Sequence, residues 1–387
     1  GGTAISALRT NNGFNATSET AVGPTGNNYG IVGISTKNVR DAYNTNNSKG
    51  RYGSNAVTIS NTDGKITVEG NTAVGIYAQN TTYSGDNDPG YNGLAAKQED
   101  VSITYSNLQS TSDPTLIKVN TSNKIKDNKS ARSVGIALDH DNSGTVDNAA
   151  RRGGKIFLNT QGNDITAANN KADILTSHNG IGVYAESTEI KFGGNSDVKG
   201  LNVETKNRGI GVFVTDDSSI GEATDRVGKS STKKLYYNYN GDNDSQGYAV
   251  AFGSTLNREG TNNTWATTDA TNYLDIEFAN SGKTKEGIAG VLVNTDNTDR
   301  AINYGNIKEH STTVTNEKEY GAVVNRGTFV NYGEIKLNDS LNKNAKDVTA
   351  DDLKKVNVGI LANDHTKDAR YNTFIENYND ITVGDVT

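Results

Sequence analysis

Four histidines, His140, His178, His310 and His365, are the side chains best suited to proton transfer near neutral pH, and they are scattered along the chain. No His-Glu-x-x-His pair occurs and there is no cysteine, so the usual zinc-ligand sets are missing. Neither Gly-x-Ser-x-Gly nor Gly-Asp-Ser-Gly occurs, which removes the common signals of an activated serine. The stretch from Ala223 to Ser230 ends in Gly228-Lys229-Ser230 and mimics a phosphate-binding loop. Ala223 stands where that loop needs its first glycine, and no helical pattern follows, so the match reads as coincidence.

One stretch has metal-ligand spacing. Asp139-His140-Asp141-Asn142-Ser143-Gly144-Thr145-Val146-Asp147 follows the first nine positions of a calcium loop. Oxygens of Asp139, Asp141, Ser143 and Asp147, with the carbonyl of Thr145, would ring a hard cation, and Gly144 would make the bend. The twelfth position is Ala150, where a bidentate Glu belongs, so an acidic turn after a strand is the plainer reading. No cofactor is expected beyond a structural calcium at this loop.

Aromatic residues interleaved with amides and carboxylates offer a different chemistry, recognition. Tyr83 and Tyr91 flank Ser84-Gly85-Asp86-Asn87-Asp88-Pro89-Gly90, and Tyr239 and Tyr248 flank a related run, Asn240 to Gly247. Leu235-Tyr236-Tyr237 lies just before, and Trp265 is the sole tryptophan. If exposed, such rings suit glycan stacking or a protein hot spot. The alternative is that they clamp loops onto the body of the protein. The contact surface is expected over about 215–286.

The elements that must position these groups are limited by composition. The chain has 387 residues, a 33% apolar fraction, 42 glycines and a net charge of −7. So little apolar mass supports only a thin core, as a stack of narrow coils provides. The acidic balance disfavours nucleic acid and anionic membrane, because both demand a basic face and only short runs such as Lys233-Lys234 occur. No apolar run approaches the roughly 20 residues of a membrane span. The lack of cysteine fits a chain exported across a bacterial periplasm unfolded, where a premature disulfide would block passage.

Two repeated blocks organise the sequence. The first is Gly, a β-branched residue, then alternating apolar or aromatic positions. It occurs at Gly30-Ile31-Val32-Gly33-Ile34, Gly75-Ile76-Tyr77-Ala78, Gly135-Ile136-Ala137-Leu138, Gly182-Val183-Tyr184-Ala185 and Gly211-Val212-Phe213-Val214. It returns at Gly247-Tyr248-Ala249-Val250, Gly290-Val291-Leu292-Val293, Gly321-Ala322-Val323-Val324 and Gly359-Ile360-Leu361-Ala362. The second is Asn-Tyr-Gly/Asn-x-Ile, at Asn303-Tyr304-Gly305-Asn306-Ile307, Asn331-Tyr332-Gly333-Glu334-Ile335 and Asn377-Tyr378-Asn379-Asp380-Ile381. Irregular spacing over a fixed minimum is the mark of a solenoid with loop insertions. The expected fold is all-β, one right-handed parallel β-helix over residues 1–387, with insertions at about 79–131, 215–246 and 253–286. Asparagines at corresponding corners are expected to hydrogen-bond up the stack. Two or three strands per turn give on the order of ten to fourteen coils. A short helix is expected over 349–356, with Thr349 as N-cap.

The Gly-Ile-Tyr-Ala and Asn-Tyr-Gly-x-Ile blocks resemble the passenger domains of type V autotransporters, most of all the large fusobacterial outer-membrane adhesins. The resemblance covers nearly the whole chain through degenerate repeats. It implies an extracellular position on a bacterial surface, anchored through a C-terminal barrel beyond this fragment. It implies attachment to other bacteria and host cells through glycan or protein receptors. The fragment is expected to be monomeric and not an enzyme. The chain departs from protease-type members in lacking their serine motif. A polysaccharide-acting enzyme and an inert stalk are the alternatives.

Overall fold

The computed structural model describes residues 5–8, 31–38, 58–62, 65–70, 73–81, 101–107, 117–121, 133–141, 154–162, 172–177, 179–206, 208–241, 246–254, 269–282, 287–295, 299–310, 318–338, 349, 356–363 and 373–384. The strands fall into three tracks of parallel, stacked rungs. The first track stacks β1 (Ile5–Leu8), β4 (Ile66–Gly70), β7 (Ile117–Thr121), β10 (Ile174–Thr176), β13 (Gly200–Thr205), β18 (Lys234–Tyr239), β21 (Asp275–Asn280), β24 (Ile307–Glu309), β26 (Ile335–Leu337) and β29 (Ile381–Val383). The second stacks β2 (Ile31–Asn38), β5 (Ala73–Thr81), β8 (Ser133–Asp141), β11 (Gly180–Glu186), β14 (Gly209–Thr215), β19 (Gly247–Gly253), β22 (Ile288–Asn294), the first half of β25 (Glu319–Asn331) and β27 (Val358–Ala362). The third stacks β3 (Thr58–Thr62), β6 (Val101–Asn107), β9 (Gly154–Thr160), β12 (Thr188–Phe192), β15 (Ser219–Ile220), β20 (Asp269–Asn272), β23 (Arg300–Asn303), the second half of β25 and β28 (Thr373–Asn377).

In chain order the tracks recur second, third, first, so each coil contributes three rungs. The chain is thus a nearly all-β parallel solenoid. Among the described residues nine coils follow β1, against the ten to fourteen expected, because several coils span long stretches of chain. Gln79 pairs with Asp139, sixty positions on (139 − 79), while Asn303 reaches Asn331 in 28. Strand β25 runs unbroken through a corner, turning at Gly327 (φ 93°), and so merges the second and third tracks into one 17-stranded sheet. The antiparallel pair β16 (Arg226–Val227) and β17 (Ser230–Ser231), with a 3-10 turn at Ala223–Asp225, is an outgrowth of one coil.

Each expected insertion contains rungs. Strands β6 and β7 lie within 79–131, β15 and β18 within 215–246, and β20 and β21 within 253–286. Their inward positions, such as Ile103 and Tyr105 or Ile117 and Val119, are buried members of the common core. The insertion boundaries are corrected accordingly: polar outward residues had diluted a genuine period-two pattern. The helix expected over 349–356 lies outside the described residues apart from its two ends.

The main core is a continuous column, running from Ile66 to Leu337 with Ile360 packed against it, and a smaller buried cluster of Val74, Tyr77, Val134, Ala137 and Ile181 lies apart from it on the second track. Inward residues stack on their own counterparts: Ile276 on Ile307, Ile307 on Ile335 and Ile335 on Ile381. The two sequence blocks meet inside it. A Cβ placed on Gly321 would lie 2.4 Å from both the Gly359 carbonyl oxygen and Cγ2 of Ile335. Gly135 has the same relation to the Gly182 carbonyl and Ile174, and Gly182 to the Gly211 carbonyl and Val203. Glycine in the first block therefore makes room for the aliphatic residue that ends the second, and the backbones stack closely enough for a ladder. In β19 this place belongs to Ala249, since Gly247 pairs with Gly209, so the expected copy starting at Gly247 is displaced by two residues.

Candidate functional site

The third track ends, in its last four coils, at the corner that carries the Asn-Tyr block. Strands β20, β23 and β25 alternate, so Asn272, Asn303 and Asn331 turn to the interior, and Asn377 of β28 continues their row in register with Asn331. Each amide donates to the carbonyl oxygen of the next: Asn272 to Asn303, Asn303 to Asn331 and Asn331 to Asn377, all at 2.8 Å. The second amide hydrogen goes to the chain's own corner, from Asn272 to the Leu274 carbonyl, Asn303 to Gly305 and Asn331 to Gly333, at 2.7 Å. The asparagine ladder thus satisfies buried groups at a turn where the backbone cannot pair with itself.

The next residue in each coil points outward. Tyr273, Tyr304, Tyr332 and Tyr378 form a second ladder, with ring centroids 5.2, 4.9 and 4.9 Å apart and planes within 2°, 8° and 10° of parallel. The spacing is the rise of the solenoid itself. The ring edges and hydroxyls of the ladder lie on the outer surface. Ring faces are spent on neighbouring rings, so ring edges and phenol hydroxyls are what the ladder offers to a ligand. Tyr378 donates to a Glu376 carboxylate oxygen at 2.8 Å, and that hydrogen bond pushes its phenol pKa up. Burial pushes Tyr304 up as well. Both phenols therefore stay protonated donors at neutral pH.

Charged groups border the ladder. Arg300 donates from Nε to Asp269 Oδ1 at 2.8 Å and from Nη2 to Oδ2 at 2.5 Å, a bidentate pair between register partners. Thr328 follows Arg300 in register and Phe374 follows Thr328. The outer face from Asp269 to Tyr378 carries a phenol at each of four rungs, with the Arg300–Asp269 pair and the Glu376 carboxylate beside them. The copy at Asn272-Tyr273-Leu274-Asp275-Ile276 escaped the sequence reading because Leu274 replaces the glycine. Asn-Tyr followed by Ile three positions after Tyr would have found it.

A second polar cluster sits on and beside the first track. Glu277, buried, meets both Lys234 and the His310 ring nitrogen. Burial alone would push its carboxyl up, but the hydrogen bonds and charges of His310 and Lys234 outweigh it and hold the pKa at about 2. Glu309, also buried, accepts from the Asn338 backbone amide at 2.9 Å and the Asn357 amide at 3.0 Å. Asn357 in turn accepts from the Glu319 backbone amide at 3.0 Å. No sequence motif marks these carboxylates, since their partners come from other coils.

The residues expected to form the contact surface are dispersed. Tyr237 and Tyr239 face inward in β18, in register with Val203 and Thr205, and are fully buried. The Tyr237 hydroxyl shares a hydrogen with Thr205 Oγ1 at 2.8 Å and donates to the Gly209 carbonyl at 2.9 Å; burial pushes its pKa well up. These two are core residues, a correction that follows from strand alternation: Leu235, Tyr237 and Tyr239 share one face. Tyr236 points outward yet is largely buried, with Lys234 Nζ 5.9 Å from its ring centroid. Tyr248 is half-buried, bonds Gln246, and lies beside Ile210 on the outer second track. Tyr184 and Phe213 meet edge to face nearby, with centroids 5.5 Å apart. Tyr83, Tyr91 and Trp265 lie outside the described residues.

Of the calcium-loop residues, Asp139 is buried at the end of β8 and accepts from the Tyr77 hydroxyl at 3.0 Å. Asp141 ends the same strand, and Ser143 and Asp147 lie outside the described residues. Among the described residues no group of three or more His, Cys, Asp or Glu side chains is placed to hold a metal, and no helix is long and apolar enough to cross a membrane. No protein-family model, curated protein or solved structure matches the chain.

Proposed function

We propose that this chain is the exposed part of a bacterial surface adhesin, a right-handed parallel β-helix with loop insertions that attaches to glycan or protein receptors on other bacteria and host cells. Right-handedness follows from the general rule for parallel crossovers. The observation that carries the binding reading is the outer strip of the third track. There the hydroxyl edges of Tyr304, Tyr332 and Tyr378 repeat at the rise of the coils, bordered by the Arg300–Asp269 pair and by Glu376. Such a strip presents directional donors and acceptors on strands held in parallel register, the kind of preorganised polar surface that keeps ordering costs low. A polymer or extended segment lying along the rod would meet a phenol at each of these rungs.

One observation favours a second reading, a stalk that spaces a receptor-binding tip from the cell. The tyrosine faces are consumed in stacking, which stiffens the rod and leaves little ring surface for sugars. Immobilising the chain and measuring capture of bacteria, host cells and arrayed glycans separates the two. Adhesion predicts capture that drops with Arg300→Ala and with a Tyr304→Ala/Tyr332→Ala pair. Capture of none of these ligands would leave the stalk, and release of products from polysaccharide would turn the reading to an enzyme.

A further inference from the structure

Tyr332 and Tyr378 are neighbouring rings of the stack, and a carboxylate stands at the hydroxyl of one of them. Their rings are 4.9 Å apart and within 10° of parallel. The backbones beneath them are locked in register, since Asn331 pairs with Asn377 in both the strand ladder and the amide ladder. The Tyr378 hydroxyl is already hydrogen-bonded to a carboxylate, Glu376, at 2.8 Å. A phenol loses an electron far more readily when a base stands ready to take its proton, and a carboxylate at hydrogen-bond distance is such a base.

We propose that Tyr332 and Tyr378 are an oxidative cross-linking site, at which a dityrosine bond fastens one coil covalently to the next. The co-reactant is a one-electron oxidant of the peroxidase–peroxide class. Each phenol gives up one electron and one proton, the Tyr378 proton passing to Glu376 and the Tyr332 proton to water. The two phenoxyl radicals couple through ring carbons ortho to oxygen, forming one carbon–carbon bond. Each coupled carbon then loses its hydrogen as its ring becomes aromatic again, and each oxygen regains a proton. Two hydrogens are lost in total, and one hydrogen peroxide is reduced to two waters. The pairing is intramolecular and joins residues 46 positions apart (378 − 332), so it closes a loop around one coil. Cross-links of that kind constrain the unfolded chain.

The site shares Tyr332 and Tyr378 with the outer strip, but its test reads chemistry and not adhesion. The whole chain, dilute and monomeric, is treated with a haem peroxidase and limiting hydrogen peroxide, and the monomer is digested for mass spectrometry. The expected product is a linked peptide pair carrying Tyr332 and Tyr378, lighter by two hydrogens than its parts. It should vanish in Tyr332→Phe and in Tyr378→Phe, which keep the stacked rings, and form several-fold more slowly in Glu376→Gln. An oxidised monomer whose dityrosine joins other residues, or which contains none, would overturn the proposal.

Discussion

The side-chain amide of Asn303 donates to the side-chain carbonyl of Asn331 at 2.8 Å, one coil along, while its other hydrogen goes to the Gly305 carbonyl. Asn331 repeats the arrangement toward Asn377 and Gly333. Replacing Asn331 with Ala breaks three hydrogen bonds and leaves the buried Asn303 amide and the Gly333 carbonyl without these partners. Each such group costs about 1–3 kcal/mol. Asn331→Ala should lower stability by roughly 2–4 kcal/mol, read as a lower urea midpoint. Hydrogen exchange should accelerate in β23, β25 and β28 before it does in β5 and β8.

The glycine ladder makes a sharper prediction. Gly321→Ala places a methyl 2.4 Å from the Gly359 carbonyl and from Ile335. Overpacking of this kind costs about 1–3 kcal/mol. The control is Gly194→Ala, where a Cβ meets nothing within 4 Å. Thermal unfolding should separate the two variants, with Gly321→Ala melting earlier and Gly194→Ala unchanged.

Tyr237 distinguishes core from contact surface. Tyr237→Phe removes hydrogen bonds to Thr205 and the Gly209 carbonyl and should cost about 1–2 kcal/mol. Tyr237→Ala should cost about 3–5 kcal/mol. Neither should alter ligand capture by the fraction that remains folded. Capture lost at unchanged stability would return this residue to the surface.

Stability should depend on acid through Glu277. Its folded pKa, about 2, lies below the ordinary 4.5, so its contribution is fully present above about pH 5. It is lost as pH falls through 4.5 toward 2. The difference in unfolding midpoint between the native chain and Glu277→Gln should shrink as pH falls across that window.

The sequence carried the solenoid in its two blocks because each is tied to one place in the coil. The Gly block marks the second track, where backbones stack without side chains between them. The Asn-Tyr block marks the corner between the third and first tracks, where amide and phenol ladders run. Rungs between these blocks were hidden. Strand β7 offers only Ile117 and Val119 inward, set among polar outward residues, and β15 has two residues. Tyr237 and Tyr239 were misplaced because aromatic, amide-rich runs resemble loops when the inward alternation is ignored. The partners of Glu277 and Arg300 come from other coils, 43 positions away for Lys234 and 31 for Asp269. Only the register of the stack brings them together.

That register is the claim on which the rest depends, and the absence of native cysteine makes it directly measurable. Lys308 and Lys336 are exposed register partners in β24 and β26. Spin labels on Lys308→Cys and Lys336→Cys should sit one rung apart, with backbones ~5 Å from each other. The doubly labelled chain should then give a strongly dipolar-broadened electron paramagnetic resonance spectrum. A spectrum equal to the sum of the two singly labelled chains would contradict the stacked-coil account.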